Sequence, residues 1–338
     1  MMKTIAKGLL LGLLSATPGF GQNVELRMST WLPPDHGVHD ALEVWANSIT
    51  EASNGEITLT LYPAQQLGRA DDHYDMAADG ISDFSYLNVG YQAGRFPLAE
   101  IAHLPFTVAN GIGGTAAFDS WYRPHAENEM SEVKYCFVFM HEPGSLHGHE
   151  EYLEPSSING KRIRSSHATM ASFVTLLGGT NVRVAAPESR QALESGVADA
   201  VTFPWESTIL FGLDNAVHYS MDAPFYVSGF AWVMNPARYD GMSESQKAVI
   251  DAHCSTDWAV QVAETWSARD LAGREALREK EGHTLYPLSP EQVANWQEAA
   301  RPLRQTWIDN ATAAGQEDAA GAYAAFEEAL RNEGALIE

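Results

Sequence analysis

Two segments of this 338-residue chain end alike: a helix-like stretch stops at a glycine, and an aspartate opens the strand that follows. They read Gly80-Ile81-Ser82-Asp83 and Gly196-Val197-Ala198-Asp199. Each closes the same order of elements. In the first copy residues 26–30 read as a strand, 41–52 as a helix, 57–62 as a strand and 71–78 as a helix. In the second the corresponding stretches are 162–165, 170–177, 182–186 and 187–195. Segment lengths differ, so the order repeats and the letters do not. Alternation of this kind specifies parallel α/β lobes. Two such lobes leave a cleft between them, and clefts between domains are where small ligands bind.

The ends and the charge restrict where such a molecule works. Lys3 and Lys7 precede an apolar run at 8–14 and a small-x-small site, Gly19-Phe20-Gly21, which together read as a secretory leader over 1–21. The run is too short to span a bilayer, and no later stretch approaches the about 18 apolar residues a span needs. The expectation is an exported, periplasmic protein without stable membrane insertion. A formal charge of −23, more negative still once the leader is gone, excludes nucleic acid and anionic membrane surfaces as partners. An anionic ligand would be repelled by that field unless a positioned cation received it. Cys136 and Cys254 are the only cysteines. Both read as small buried apolar thiols, with a disulfide as the alternative in an oxidising compartment.

Leu42, Trp45, Ala46 and Ile49 form one stripe of the first helix, and Ile57, Leu59 and Leu61 alternate along the next strand. Runs at 133–140 and 225–234 read as buried strands, placed to cross between lobes. From 243 to 277 the pattern is helical, broken only near Gly282. Ser289 and Pro290 suit the N-cap and first position of a further helix, and 319–330 reads as the last.

Several segments carry chemistry. In Lys161-Arg162-Ile163-Arg164, alternation sends both arginines to one face, and Arg164 stands at the strand end, where α/β sheets meet ligands. Its forked, permanently charged guanidinium suits a carboxylate, although an ordinary surface arginine has the same spacing. Phe203 and Trp205 flank Pro204 in a strand-exit loop. Trp31 follows the first strand, while Tyr86, Asn88 and Tyr91 mark the end of another. These aromatics are either core or ligand wall. His36/His39 and His147/His149 are close pairs, but neither supplies a metal-ligand set. Gly111-Ile112-Gly113-Gly114-Thr115-Ala116 lacks the preceding strand that a dinucleotide fingerprint requires and reads as a loop. No nucleophile, base and oxyanion site assemble, so no enzyme, cofactor or metal is expected.

The stretches Asn159 through Arg164, Leu177 through Val182, Pro187-Glu188 and Ala192 through Asp199 resemble the core of DctP-type solute-binding proteins of TRAP transporters. So do Tyr62 through Gly68, Gly94 through Leu98, Leu104-Pro105-Phe106 and Val233-Met234-Asn235. The resemblance implies a type II-like periplasmic binding protein of two α/β lobes, joined by crossing strands and a long helix. The approximate limits are 22–141 with 235–270 for lobe I, and 142–234 with 271–338 for lobe II. It implies no catalysis, capture of a small organic carboxylate, and delivery to TRAP membrane permease subunits. Arg164 falls on the family's carboxylate clamp. Many members carry an asparagine where Phe203 stands, and this exit loop is similar to those of monocarboxylate binders, aromatic acids included. The expected walls are Phe203, Trp205, Trp31, Tyr86 and Phe230, with Asn88, Tyr91 or His147 serving ligand oxygens. A 2-oxo or 2-hydroxy aliphatic acid or a dicarboxylate is the alternative ligand. An exported hydrolase and a sensor module are the rival functions.

Overall fold

The computed structural model describes residues 23–338, so the leader read at 1–21 lies outside the described residues. Two sheets organise the chain. The first has the order β2 (Ile57–Tyr62), β1 (Val24–Ser29), β3 (Phe84–Asn88), β10 (Gly229–Met234), β4 (Lys134–Met140). The second runs β11 (Thr284–Tyr286), β9 (Tyr219–Met221), β5 (Ser145–Gly148), β8 (Ala200–Phe203), β6 (Arg162–Arg164), β7 (Thr180–Val182). In each a parallel trio, β2-β1-β3 or β7-β6-β8, meets one antiparallel strand, β10 or β5.

The repeated glycine–aspartate step has one physical cause in both trios. The main-chain N–H of Arg27 donates to Asp83 (2.7 Å), and Arg27 Nη2 donates to the Gly80 carbonyl (3.0 Å). In the second trio Arg162 N–H donates to Asp199 (2.8 Å), its side chain grips the same carboxylate, and Nη1 donates to the Gly196 carbonyl. The two glycines sit at φ 75° and 68°, a turn that disfavours a side chain. Arginine and aspartate thus lock the entry of one strand to the entry of its neighbour.

Helices α1 (Gly37–Ala52) and α2 (His73–Ala78) connect the first trio; α4 (Ala168–Leu176) and α5 (Ser189–Glu194) connect the second. The expected strand at 182–186 keeps only Val182 within β7, because the chain turns away there to deliver the Val184 carbonyl to Arg164. The glycine-rich segment read as a loop opens α3 (Gly111–Glu129), since the Asn110 carboxamide caps it by accepting the Gly113 N–H (2.8 Å).

The short helices α6 (Trp205–Leu210) and α7 (Pro236–Asp240) precede α8 (Glu244–His253) and the long α9 (Thr256–Glu279). The helical run from 243 therefore breaks at Cys254 and Ser255, where the Ser255 hydroxyl caps α9. That helix packs on α1 and α3 on one side and on α6 on the other, joining the lobes. Then come α10 (Pro290–Ala300), α11 (Pro302–Ala313) and α12 (Ala319–Asn332). Ser289 caps α10 in a reciprocal box with Gln292.

Residues 229–234 pair with β3 and β4, and all six are buried, so they need cover on both faces. The C-terminal α12 packs against α3, and Ala109 donates to the Ala335 carbonyl (2.8 Å). The chain passes between sheets after Met140 and again before Gly229, and the two passages are joined where Gly144 N–H meets the Tyr226 carbonyl (2.8 Å). Side-chain alternation in the strands divides the apolar interior into two cores. One contains Phe84, Tyr86, Phe137 and Trp232; the other contains Leu87, Val138, Ala231 and Val233. Each core also draws residues from the second sheet.

Cys136 and Cys254 form a disulfide, which overturns the reading of two separate thiols. The α8–α9 break brings Cys254 directly over β4. The bond closes a loop of sequence separation 118, so it removes much freedom from the unfolded chain. Replacing both cysteines by serine should lower stability by about 2–4 kcal/mol in guanidinium unfolding. An unmodified protein that loses nothing on reduction would contradict this.

Candidate ligand-binding site

Facing ends of the two sheets frame a small cavity, with about 330 Å³ of space between its lining atoms once the open mouth is counted. The second sheet contributes Arg164, the last residue of β6, which is only 1% exposed. Its Nε donates to the Val184 carbonyl (3.1 Å), Nη1 to the Thr202 carbonyl (3.3 Å) and Nη2 to the Tyr91 hydroxyl (3.1 Å). Phe203 lies beneath it at 5.2 Å. A guanidinium has five N–H donors, so one remains on each terminal nitrogen. A guanidinium with donors free on both terminal nitrogens is suited to a carboxylate, which accepts two parallel bonds. Among the described residues no protein carboxylate lies within ion-pair distance of it. A buried charge without a partner is unfavourable by several kcal/mol, and a bound anion removes that penalty.

The walls are aromatic. Tyr86 of β3 stacks on Phe230 of β10 at 5.0 Å, Trp31 lies 5.4 Å from Tyr86 and 5.8 Å from Tyr91, and Phe203 meets Phe211 edge-on at 5.4 Å. Polar atoms punctuate this surface. Trp31 Nε1, Tyr86 Oη and Trp266 Nε1 are buried at the cavity with no partner among the described residues, and the Tyr226 and Ser166 hydroxyls meet there. Burial pushes the Tyr86 and Tyr226 phenols up, so both remain protonated donors. The Tyr91 hydroxyl accepts from Arg164 and from the Ala186 N–H (3.0 Å), which leaves its own proton for a ligand oxygen.

Of the residues expected here, Arg164, Phe203, Trp31, Tyr86, Asn88, Tyr91 and Phe230 converge on the cavity. Trp205 and His147 are absent from its lining. Trp205 opens α6 and donates its indole N–H to the Pro143 carbonyl (2.9 Å), so it anchors a crossing segment. His147 is occupied behind the wall: its ring nitrogens lie 2.6 Å from Ser220 Oγ and 3.0 Å from the Phe203 carbonyl, and burial depresses its pKa to about 3. The Asn88 carboxamide oxygen accepts the Gly90 N–H of its own turn (2.9 Å), and its NH2 donates to the Ser166 carbonyl (3.5 Å). His36 and His39 also have internal partners, Ser207 (3.0 Å) and Thr30 (2.7 Å). Sequence reasoning missed Ser166, Phe211, Tyr226 and Trp266. Trp266 was beyond local patterning, since it reaches the cavity from α9. Tyr226 looked like one more apolar strand residue.

Residues 28–310 match the model of the bacterial extracellular solute-binding proteins, family 7, called DctP. The chain belongs to that family, the solute-binding receptors of TRAP transporters. A TRAP solute-binding protein from Rhodoferax ferrireducens, solved with copurified benzoate, superposes with a TM-score of 0.87 at 23% identity, over 92% of this chain and 98% of that one. A marine metagenome TRAP protein specific for aromatic acid ligands, solved with metahydroxyphenylacetate, gives 0.86 at 27% identity over 92% and 99%. One from Bordetella bronchiseptica with bound (R)- and (S)-mandelate gives 0.85 at 27% over 91% and 99%.

A stacked imidazole pair closes the seam beside the cavity. His103, from the first lobe, lies 4.2 Å from His167, the cap of α4, with 17° between the rings. His167 accepts the Met170 N–H at Nδ1, and its Nε2 lies 3.1 Å from the Val227 carbonyl, which fixes a neutral ring. Burial lowers both pKa values, His103 to about 3. In the unfolded chain these rings protonate near 6.5. The unfolded state therefore binds more protons below that pH, and this contribution to stability, complete above 6.5, is lost as pH falls toward 3. Urea unfolding at pH values from about 4 to 7.5 should show stability declining on acidification. His103→Phe, which keeps the stack and removes a titrating group, should flatten the decline; an unchanged slope would exclude the pair as its source.

Proposed function

We propose that this chain is the periplasmic receptor of a TRAP transporter for a small monocarboxylate with an aromatic or otherwise apolar body. It would be exported by the leader at 1–21 and hand its cargo to membrane permease subunits without turning it over. The observation that carries the ligand class is the buried Arg164, held by carbonyls and a phenol, with no protein carboxylate beside it. The aromatic walls supply the rest. Burying one ring contributes roughly 3 kcal/mol, and two charge-assisted bonds to a desolvated carboxylate supply much of the remainder of the about −8 kcal/mol that micromolar binding requires. The aromatic acids held by the two relatives at 27% identity support the same class. Phe203, in place of the family's asparagine, disfavours a ligand bearing many hydroxyls, since each hydroxyl against an apolar wall loses water without compensation.

We place 229–234 in lobe I, so that closure swings the second sheet about the paired passages at Gly144 and Tyr226. Closure then brings Tyr91 of one lobe onto Arg164 and Ala186 of the other. The buried hydroxyls of Tyr86, Ser166 and Tyr226 favour a second reading, a 2-oxo or 2-hydroxy aliphatic acid, because such a ligand would engage them beside its carboxylate.

A thermal-shift screen separates these readings. Benzoate, mandelate and hydroxyphenylacetate should raise the melting temperature; a response confined to dicarboxylates or sugar acids would contradict the aromatic-wall argument. Arg164→Gln should weaken the stabilising acid by about 3–5 kcal/mol in calorimetry. Near-normal affinity in that variant would rule out the clamp.

A further inference from the structure

Cations are scarce here, 21 lysines and arginines against 44 acids. Among the described residues every one has a carboxylate within 4.0 Å except three: Arg164, Arg183 and Arg304. Arg304 covers the Tyr323 ring at 4.0 Å, away from the cavity. Arg183 makes no hydrogen bond, ion pair or ring contact among the described residues. It is exposed and lines a second, larger concavity of about 1180 Å³ that opens on solvent between the lobes.

This outer cleft leads to the inner cavity. Tyr91 and Ser166 line both. Ser165 and Ser166 are 8% and 4% exposed, and the Ser165 hydroxyl has no partner among the described residues. Arg183 immediately precedes Val184, whose carbonyl holds Arg164, so one short segment positions both unpaired guanidinium groups. Arg69 stands in the outer cleft too, but Asp71 partly neutralises it at 3.3 Å. Glu188 lines the same space and opposes an entering anion.

We propose that the outer cleft is an encounter site, where Arg183 draws the incoming carboxylate out of the repulsive field and passes it across Ser165 and Ser166 to Arg164. The inference rests on the carboxylate reading above and concerns the route to the clamp. A cation at the mouth of a narrow cleft raises the association rate, and salt screens the effect. It does not hold the ligand once the lobes have closed.

The test is stopped-flow fluorescence with benzoate, whose arrival beside Trp31 gives the signal, at about 20 mM and about 500 mM salt. Arg183→Gln should slow association about 3- to 10-fold at low salt, flatten the salt dependence and leave dissociation unchanged. Arg183→Lys should restore the rate. Arg304→Gln removes the same charge elsewhere and should leave the rate as it was. Equal slowing by Arg183→Gln and Arg304→Gln, or no slowing by Arg183→Gln, would overturn the encounter site while leaving the clamp intact. A faster dissociation with normal association in Arg183→Gln would also overturn it. Absence of any benzoate signal from the unmodified protein would overturn the aromatic-acid reading and this inference with it.

Discussion

One uncompensated positive charge in the interior organises this molecule. Arg164 is oriented by two main-chain carbonyls and a phenol, dipoles that fix the plane of the guanidinium without neutralising it. A protein carboxylate in their place would have stabilised the empty receptor and quenched its affinity. The arrangement depends on parts remote in sequence: the end of β6, the departure of the chain after β7, the end of β8 and a tyrosine from the opposite lobe. The arginine–aspartate–glycine locks at the other ends of both trios hold the strand register on which this convergence rests.

Apolar packing continues across the seam. Two cores of aromatic and aliphatic side chains each take residues from both sheets. Beside the cavity, single polar or ring contacts also join the two sides: Tyr91 with Arg164, His36 with Ser207, and His103 stacked on His167. These directional contacts fix how the two faces meet, which non-directional apolar packing alone does not.

Much of the architecture was legible because it obeys local rules. The glycine–aspartate steps, the Ser289–Pro290 start and the apolar alternation of β2 are short-range signals, and the structure places elements where they point. The place of Arg164 at a strand end was legible for a similar reason. The failures have physical causes too. Asn110 capped a glycine-rich segment into a helix, and the need of Arg164 for a carbonyl ended β7 early. His147 and Trp205 looked like site residues in one dimension, but three-dimensional packing gave their polar atoms other partners. Trp266 and Tyr226 became site residues only through the placement of α9 and of a crossing segment, which no periodicity encodes. The disulfide likewise depended on a break in a helical run that the pattern carried straight through.

That covalent tie limits how the long helix can shift against the first sheet. Cys136 belongs to β4 and Cys254 to the joint at the foot of α9, so the start of the long helix is riveted to the first sheet. Any pivot must then occur beyond the rivet, in the upper reach of the helix and in the two paired passages. Tyr86 and Phe230 thus stand on the riveted sheet, while Arg164 stands on the other, which no disulfide ties to the helix.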